Sequence, residues 1–244
     1  PGPARMELPQ TTVGLSNATG RPCGSTPQVT MAFALQQSCN TPFAYLGMQV
    51  GADAVRAQAA KFGFGDTLSI PMRVTPSRFP ADLNQPQLAQ SSIGGYDVRV
   101  TPLQMALVAG AIGNGGIVMR PYLVESVLGS DLSTIEEASP ERLSQAISAQ
   151  VAAQLTGMMR GAVENGTGRN ATIPGIAVAG KTGTAQHAEG KAPHAWFVGF
   201  APANNPTIAV AVVVEDGGDA GREAAGGTVA APIARDIIEA VLKK

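Results

Sequence analysis

The run at residues 207–215 constrains the fold more than any other stretch of the chain. It reads Thr-Ile-Ala-Val-Ala-Val-Val-Val-Glu and follows a turn at Asn204-Asn205-Pro206. A strand this apolar needs both faces covered, and it wants neighbours on both edges. Two further strand-like runs precede it, at residues 176–183 and 195–200. Beyond it Val229, Ile233, Ile237 and Val241 recur every four residues, the stripe of an amphipathic helix, with Lys243 and Lys244 suited to its C-terminal end.

Upstream the period is helical. One short piece covers residues 29–37. Thr41-Pro42 caps and opens a second helix that Gly51 closes, and Asp53 caps a third that runs to Phe62. Thr101-Pro102-Leu103-Gln104 fits a capping box, and Ser139-Pro140 opens a last helical stretch that runs to Glu164. Residues 1–28 and 64–92, rich in proline, read as irregular, and residues 117–127 as an edge strand or hairpin. Helices first, strands next and a closing helix give an α+β fold. Its sheet is mostly antiparallel and flanked by helices. Residues 1–165 form a mainly helical part, and residues 166–244 supply the strands and the C-terminal helix.

With 244 residues and an apolar fraction of 44%, one ordinary domain with a real core is expected. Charged residues make up only 14%, the formal net charge is −1, and no lysine or arginine cluster exists, which argues against nucleic acid. The longest apolar runs, near residues 107–112 and 208–214, are too short to span a bilayer. No signal peptide opens the chain, so any anchor is expected outside it. The start Pro-Gly-Pro-Ala-Arg reads as a cut end. Cys23 and Cys39 are either a disulfide or two buried thiols, and their number leaves both open.

The stretch Gly180-Lys181-Thr182-Gly183-Thr184 carries chemistry rather than core packing. Lysine supplies a positive charge with three donors, threonine supplies hydroxyls, and glycine lets a ligand approach the backbone. It fits the phosphate-loop pattern G-x-x-x-x-G-K-S/T from Gly175 to Thr182, but the loop positions are Ile-Ala-Val-Ala, which is strand material, and no helix follows. A strand edge holding an anionic, peptide-like ligand is the better reading. Ser38-Cys39-Asn40 offers a hydroxyl and an amide at a helix end, and by itself is no more than a polar cap. Gly166-Thr167-Gly168-Arg169 reads as a flexible turn. His187 and His194 lie in the connection between two strands with no cysteine or third histidine near, so no metal is expected there. Asp216-Gly217-Gly218-Asp219 lacks the bidentate acid of a calcium loop and reads as a turn.

Taken together these motifs resemble the penicillin-binding proteins, specifically the transpeptidase domain of their monofunctional class B group. That family carries S-x-x-K, S-x-N and K-T-G. The second stands here as Ser38-Cys39-Asn40 and the third as Lys181-Thr182-Gly183. Longer stretches agree: Ser92-Ile93-Gly94-Gly95, Val100-Thr101-Pro102-Leu103-Gln104-Met105-Ala106, Gly166-Thr167-Gly168, the approach Val178-Ala179-Gly180, and His194-Ala195-Trp196-Phe197-Val198-Gly199-Phe200. Cys39 inside S-x-N, with Cys23 upstream, is similar to the actinobacterial cell-division branch.

The resemblance implies a peptidoglycan D,D-transpeptidase that works by acyl-serine chemistry and is a target of penicillins. Ser38 would pass a proton to the leaving amine, Asn40 would bond the acyl side chain's amide, and Lys181 would orient Ser38. Thr182 and Thr184 would receive a carboxylate, Gly183 would leave room for the substrate strand, and the Thr184 N–H would form half of an oxyanion hole. The resemblance also favours a Cys23–Cys39 disulfide, since such enzymes work on the extracytoplasmic face of the bacterial membrane. It implies no cofactor. The partners it implies are stem peptides, β-lactams and proteins of a cell-wall or cell-division complex. A β-lactamase or β-lactam sensor shares the motif set, and a non-catalytic division scaffold is the rival from another class.

One departure is large. None of the five lysines, Lys61, Lys181, Lys191, Lys243 and Lys244, has a serine three positions before it, so no S-x-x-K exists. The expectation is therefore the C-terminal part of a transpeptidase domain, its N-terminal side with the nucleophile and the first strands lying elsewhere. The run at residues 207–215 should then be an edge strand or pair with a separate chain.

Overall fold

The computed structural model describes residues 1–243; Lys244, placed above at a helix end, lies outside them. The chain opens with an antiparallel ribbon of β1 (Arg5–Glu7) and β2 (Gly14–Ser16). Five helices follow: α1 (Met31–Gln36), α2 (Asn40–Val50), α3 (Ala52–Lys61), α4 (Gln85–Ser91) and α5 (Pro102–Gly113). Four short strands, β3 (Ile117–Met119), β4 (Ser126–Leu128), β5 (Thr134–Glu137) and β6 (Arg142–Gln145), pair as β3 with β6 and, nested between them, β4 with β5. Helix α6 (Ala149–Asn165) leads into the main sheet of β7 (Ala179–Ala185), β8 (His194–Ala201) and β9 (Ile208–Val214), and α7 (Ala231–Leu242) closes the chain.

The main sheet runs β7-β8-β9 and is antiparallel throughout. Alternate side chains of β8 enter two different cores. Phe197 packs with Val210, Val212, Ala234 and Ile238 under α7, while Phe200 packs with Ala109 of α5 and Met159 of α6. Both rings are fully buried, and each contributes about 1.5–3 kcal/mol of apolar burial. So the sheet is covered on both faces, as the run at residues 207–215 requires. Among the described residues β9 pairs only with β8, so it is an edge strand, and β7 forms the opposite edge.

Several local expectations need correction. Residues 64–92 are not wholly irregular: Asn84 and Gln87 form a full capping box that starts α4, with Pro86 inside the first turn where its missing N–H costs nothing. At α5 only half the expected box exists. Thr101 accepts from Gln104 N–H at 3.1 Å, but the buried Gln104 side chain donates to Phe62 C=O at 2.7 Å instead of reaching back. Ser139-Pro140 opens no helix; it precedes β6, and α6 begins beyond Ser148, whose hydroxyl accepts from Val151 N–H. The first part of the chain is mainly helical, with six helices, but residues 1–28, read as irregular, hold the β1–β2 ribbon, and the strand expected within residues 117–127 belongs to two further ribbons. Asp53 lies in the first turn of α3 instead of capping it.

Helix α2 begins one residue before the expected Thr41 cap, and its cap comes from far away. Cys39 occupies the N-cap position and makes no side-chain bond. Asn17, in the turn after β2, reaches across instead. Its Oδ1 accepts from Asn40 N–H at 2.9 Å, Thr41 N–H at 3.0 Å and Thr41 Oγ1 at 3.2 Å. Its Nδ2 donates to Pro3 C=O at 3.0 Å and Arg21 C=O at 2.9 Å. Asn17 is 4% exposed, so removing it strands the α2 amides away from water. Asn17→Ala is expected to cost about 3–4 kcal/mol, and to lower the melting temperature by about 10 °C for a domain of this size. A thermal shift of only a degree or two would show that water replaces the side chain.

Candidate active site

The site lies where the end of α1 meets the free edge of β7. Helix α1 is capped by Thr30, which accepts from Phe33 N–H at 3.2 Å. It ends in a turn that leaves Ser38 in the left-handed region at φ 56°, a conformation that costs a non-glycine residue roughly 1 kcal/mol. Two restraints hold this turn. Cys39 N–H bonds Ala34 C=O at 2.9 Å, and Cys39 is joined to Cys23 by a disulfide, with no free cysteine in the chain. Asn40 begins α2, and its Nδ2 donates to Ser16 C=O at 3.0 Å.

Lys181 comes from the opposite wall. Strand alternation puts Lys181 and Gly183 on the face covered by α5 and α6, opposite Val198 and Trp196 of β8. Helix α1 packs on α6, and α6 on β7, which brings the Ser38 turn over this same face. Lys181 Nζ donates to Ser38 Oγ and to Thr182 C=O, both at 2.6 Å. Burial of the ammonium lowers the lysine to about 8, because a charge taken out of water is disfavoured. A lysine so tuned can hold or release a proton near neutral pH while touching a hydroxyl, the pairing that a proton relay needs.

Thr182 and Thr184 project to the other face at the strand edge. The Thr182 and Thr167 hydroxyls lie 2.6 Å apart. If Thr167 is the donor, Thr182 keeps its own proton for a ligand. Thr184 is exposed, and its hydroxyl accepts from Gly226 N–H at 3.4 Å. The structure thus brings Ser38 and Lys181 into contact. It places Thr182, Gly183 and Thr184 in succession along the strand edge, Thr182 buried and Thr184 exposed, and ties Asn40 back to the β1–β2 ribbon.

Three supports escaped the sequence reading. Asn17 fixes Asn40 through its backbone. Thr167 is no loose turn residue: its N–H bonds Gln36 C=O at 3.2 Å, two residues before Ser38, while its hydroxyl meets Thr182. One residue therefore spans both walls of the site, and the Gly166-Thr167-Gly168 motif was its only signal. Gly226 and Gly227 open a single wide helical turn (Gly226–Ala230) that packs on β7 and leads into α7, fastened by Asn170 Nδ2 to Gly227 C=O at 2.8 Å. One histidine also moves: His194 is the first residue of β8, not part of the connection before it.

Residues 8–239 match the family model of the penicillin binding protein transpeptidase domain. The chain is 47% identical over 245 residues to peptidoglycan D,D-transpeptidase PbpA of Mycolicibacterium smegmatis, covering 98% of the chain and 49% of that relative. It is 35% identical over 212 residues to stage V sporulation protein D of Bacillus subtilis, covering 84% of the chain and 32% of that protein. Among solved structures, penicillin-binding protein A from M. tuberculosis, as a ceftriaxone acyl-enzyme complex, superposes with a TM-score of 0.95 at 44% identity, over 99% of this chain and 55% of that one. The D,D-transpeptidase domain of a peptidoglycan glycosyltransferase from Eggerthella lenta gives 0.88 at 35% identity, over 99% and 58%. The chain spans about half the length of the PbpA relatives it matches.

Proposed function

The chain belongs to the penicillin-binding protein transpeptidase family, and on that footing we propose that it forms the relay and carboxylate-binding side of a peptidoglycan D,D-transpeptidase that β-lactams acylate. The observation that carries this reading is the 2.6 Å contact of Lys181 Nζ with Ser38 Oγ, made across a sequence separation of 143. Residues 1–165 and 166–244 act as two parts of one transpeptidase domain with the site between them.

The chemistry follows from that pair. A serine outside these 244 residues attacks the carbonyl carbon of the D-Ala-D-Ala bond, and its proton passes to a neighbouring base. As the C–N bond breaks, Ser38 hands its proton to the departing amine of D-alanine and is resupplied through Lys181. The amine of a second stem peptide then attacks the ester carbonyl, loses a proton through the same relay, and frees the serine. Thr184 N–H stabilises the oxyanion as it forms. Thr182 and Thr184 receive the terminal carboxylate at the strand edge, next to the positive charge of Lys181, and Gly183 leaves the edge open for an antiparallel substrate strand. Asn40 bonds the substrate's side-chain amide. The chemistry asks for no metal or organic cofactor.

Such an enzyme works on the outer face of the bacterial membrane with other cell-wall or division proteins. Among the described residues no helix is long and apolar enough to cross a membrane, so an anchor would come from sequence beyond this chain. Intact-mass measurement after incubation with penicillin tests the assignment. The 244-residue chain should gain no adduct, and a longer protein that carries S-x-x-K should gain one penicilloyl group. An adduct on Ser38, or none on the longer protein, would overturn it.

A further inference from the structure

Two motifs that the chemistry above leaves unused, the histidine pair and the Asp216 turn, meet in space. His194 opens β8 opposite Ala185. Ala185 shares a sheet face with Lys181 and lies four residues further along β7, about 13 Å at a strand's rise per residue. His187, from the β7–β8 connection, folds back onto His194 so that the rings stack with centroids 3.9 Å apart. Asp216, just past the end of β9, reaches both. Its Oδ1 stands 2.7 Å from His187 Nε2, and its N–H donates to His194 Nδ1 at 3.0 Å. One donor atom from each of the three residues falls within 4.8 Å of the others.

Two oxygens converge on one ring nitrogen of His187. Its Nε2 faces Asp216 Oδ1 at 2.7 Å and Ala192 C=O at 3.1 Å. A ring nitrogen carries at most one hydrogen, so the two oxygens compete for it. A cation in their midst satisfies both. We propose that His187, His194 and Asp216 bind a divalent transition metal of the zinc class, which clasps the β7–β8 connection to the end of β9.

The donor set suits that ion. Two imidazoles and one carboxylate, with a fourth position left to water or to the Ala192 carbonyl, match the three-ligand pattern of open zinc sites, whereas calcium and magnesium take oxygen alone. Tetrahedral zinc spaces its N and O donors about 3.3 Å apart, so the His187–Asp216 pair must open by a fraction of an ångström. The rings, parallel as they stand, must splay so that each lone pair meets the ion, and His194 Nδ1 must exchange the hydrogen bond it accepts from Asp216 N–H for the metal. Their surroundings permit this, because the His187 side chain is 31% exposed and that of Asp216 63%. Asp216 sits at φ 51°, which asparagine tolerates as well, so Asp216→Asn removes the charge without disturbing the turn.

The site stands or falls independently of the transpeptidase reading. Tag-free protein titrated calorimetrically with Zn²⁺ is expected to bind one ion per chain at micromolar concentration. His187→Ala and Asp216→Asn should each weaken that binding at least tenfold. Both variants should keep the circular dichroism spectrum and metal-free melting temperature of the parent, since both side chains lie at the surface. Absence of stoichiometric binding to the parent protein, or a loss below tenfold in either variant, would overturn the proposal and leave the cluster as a hydrogen-bonded clasp.

Discussion

Lys181→Met, in a protein that also carries S-x-x-K, is expected to slow acylation by a β-lactam by about 10²–10⁴-fold, the usual worth of a positioned proton-transfer group. The lysine does two things at once. Its Nζ holds Ser38 Oγ and Thr182 C=O, each at 2.6 Å, and in the proposed function its charge would be the positive potential offered to a carboxylate at the strand edge. Methionine keeps the length and apolar bulk of the stem and removes both functions. Ser38→Ala should cause a loss of similar order, and the double variant should be no worse than the poorer single one, because the two act as one relay. A decline under threefold for Lys181→Met would put the relay elsewhere.

The same variant reads the price of the buried charge. Lys181 titrates at about 8 in the folded protein against 10.5 unfolded. Below pH 8 both states are charged, and the folded state bears the whole desolvation penalty. Above pH 10.5 both are neutral and the penalty is gone. Between those limits the unfolded chain binds more protons, so stability gains from rising pH. The full shift corresponds to roughly 3 kcal/mol, and partial exposure of the residue reduces it to about 1–3 kcal/mol. Denaturation of Lys181→Met should lack this rise, so the stability difference between parent and variant should change across pH 8–10.5. Parallel curves would mean that the ammonium is well solvated.

Gly226→Ala carries the second large effect, and it is steric. A Cβ there would lie 2.1 Å from Trp196 C=O, 2.5 Å from Gly183 C=O and 2.9 Å from Gly183 N. All three atoms are backbone of β7 and β8, fixed by the Gly183–Trp196 pairing, so no side chain can swing aside. Either the turn lifts away from the K-T-G strand or the strand pairing breaks. The expected cost is about 3–5 kcal/mol, above ordinary overpacking because the obstacles are rigid. The melting temperature should fall by about 10 °C, with loss of acylation in the longer protein. Gly110→Ala is the control: its nearest neighbour would be Ala209 Cβ at 3.6 Å, an ordinary contact, and inside α5 the exchange should hold stability or raise it by up to about 1 kcal/mol. Equal melting temperatures for the two variants would show that the turn yields freely.

Strands β8 and β9 were legible because they are largely apolar runs between turn residues, whereas the apolar residues 176–178 that pointed to β7 lie just ahead of it, and β7 itself reads Ala-Gly-Lys-Thr-Gly-Thr-Ala. All three lie within a few positions of where the pattern put them, and the edge position of residues 208–214 followed from a family resemblance rather than from periodicity. Helix starts were less legible, because proline is ambiguous. Pro86 lies inside a true first turn, while Ser139-Pro140 copies the same signal ahead of a strand. The motif residues could be named from sequence, yet the contact between Ser38 and Lys181 could not be derived, since spacing says nothing about a closure that passes through α6 and the sheet. Asn17, Thr167 and Asp216 stayed hidden for a related reason. Each acts through a partner remote in sequence, and a polar residue in a turn looks the same whether it faces water or caps a distant helix.

The left-handed backbone of Ser38 has a consequence for how such a domain can be engineered. Evolution or design that selects for thermal robustness alone will be drawn to glycine at this position, because glycine adopts φ 56° without strain. That exchange relaxes the loop while deleting the hydroxyl that Lys181 holds. Robustness and turnover therefore pull in opposite directions at a single residue, and a stabilised variant has to gain its margin elsewhere, at sites such as the exposed ribbon of β4 and β5.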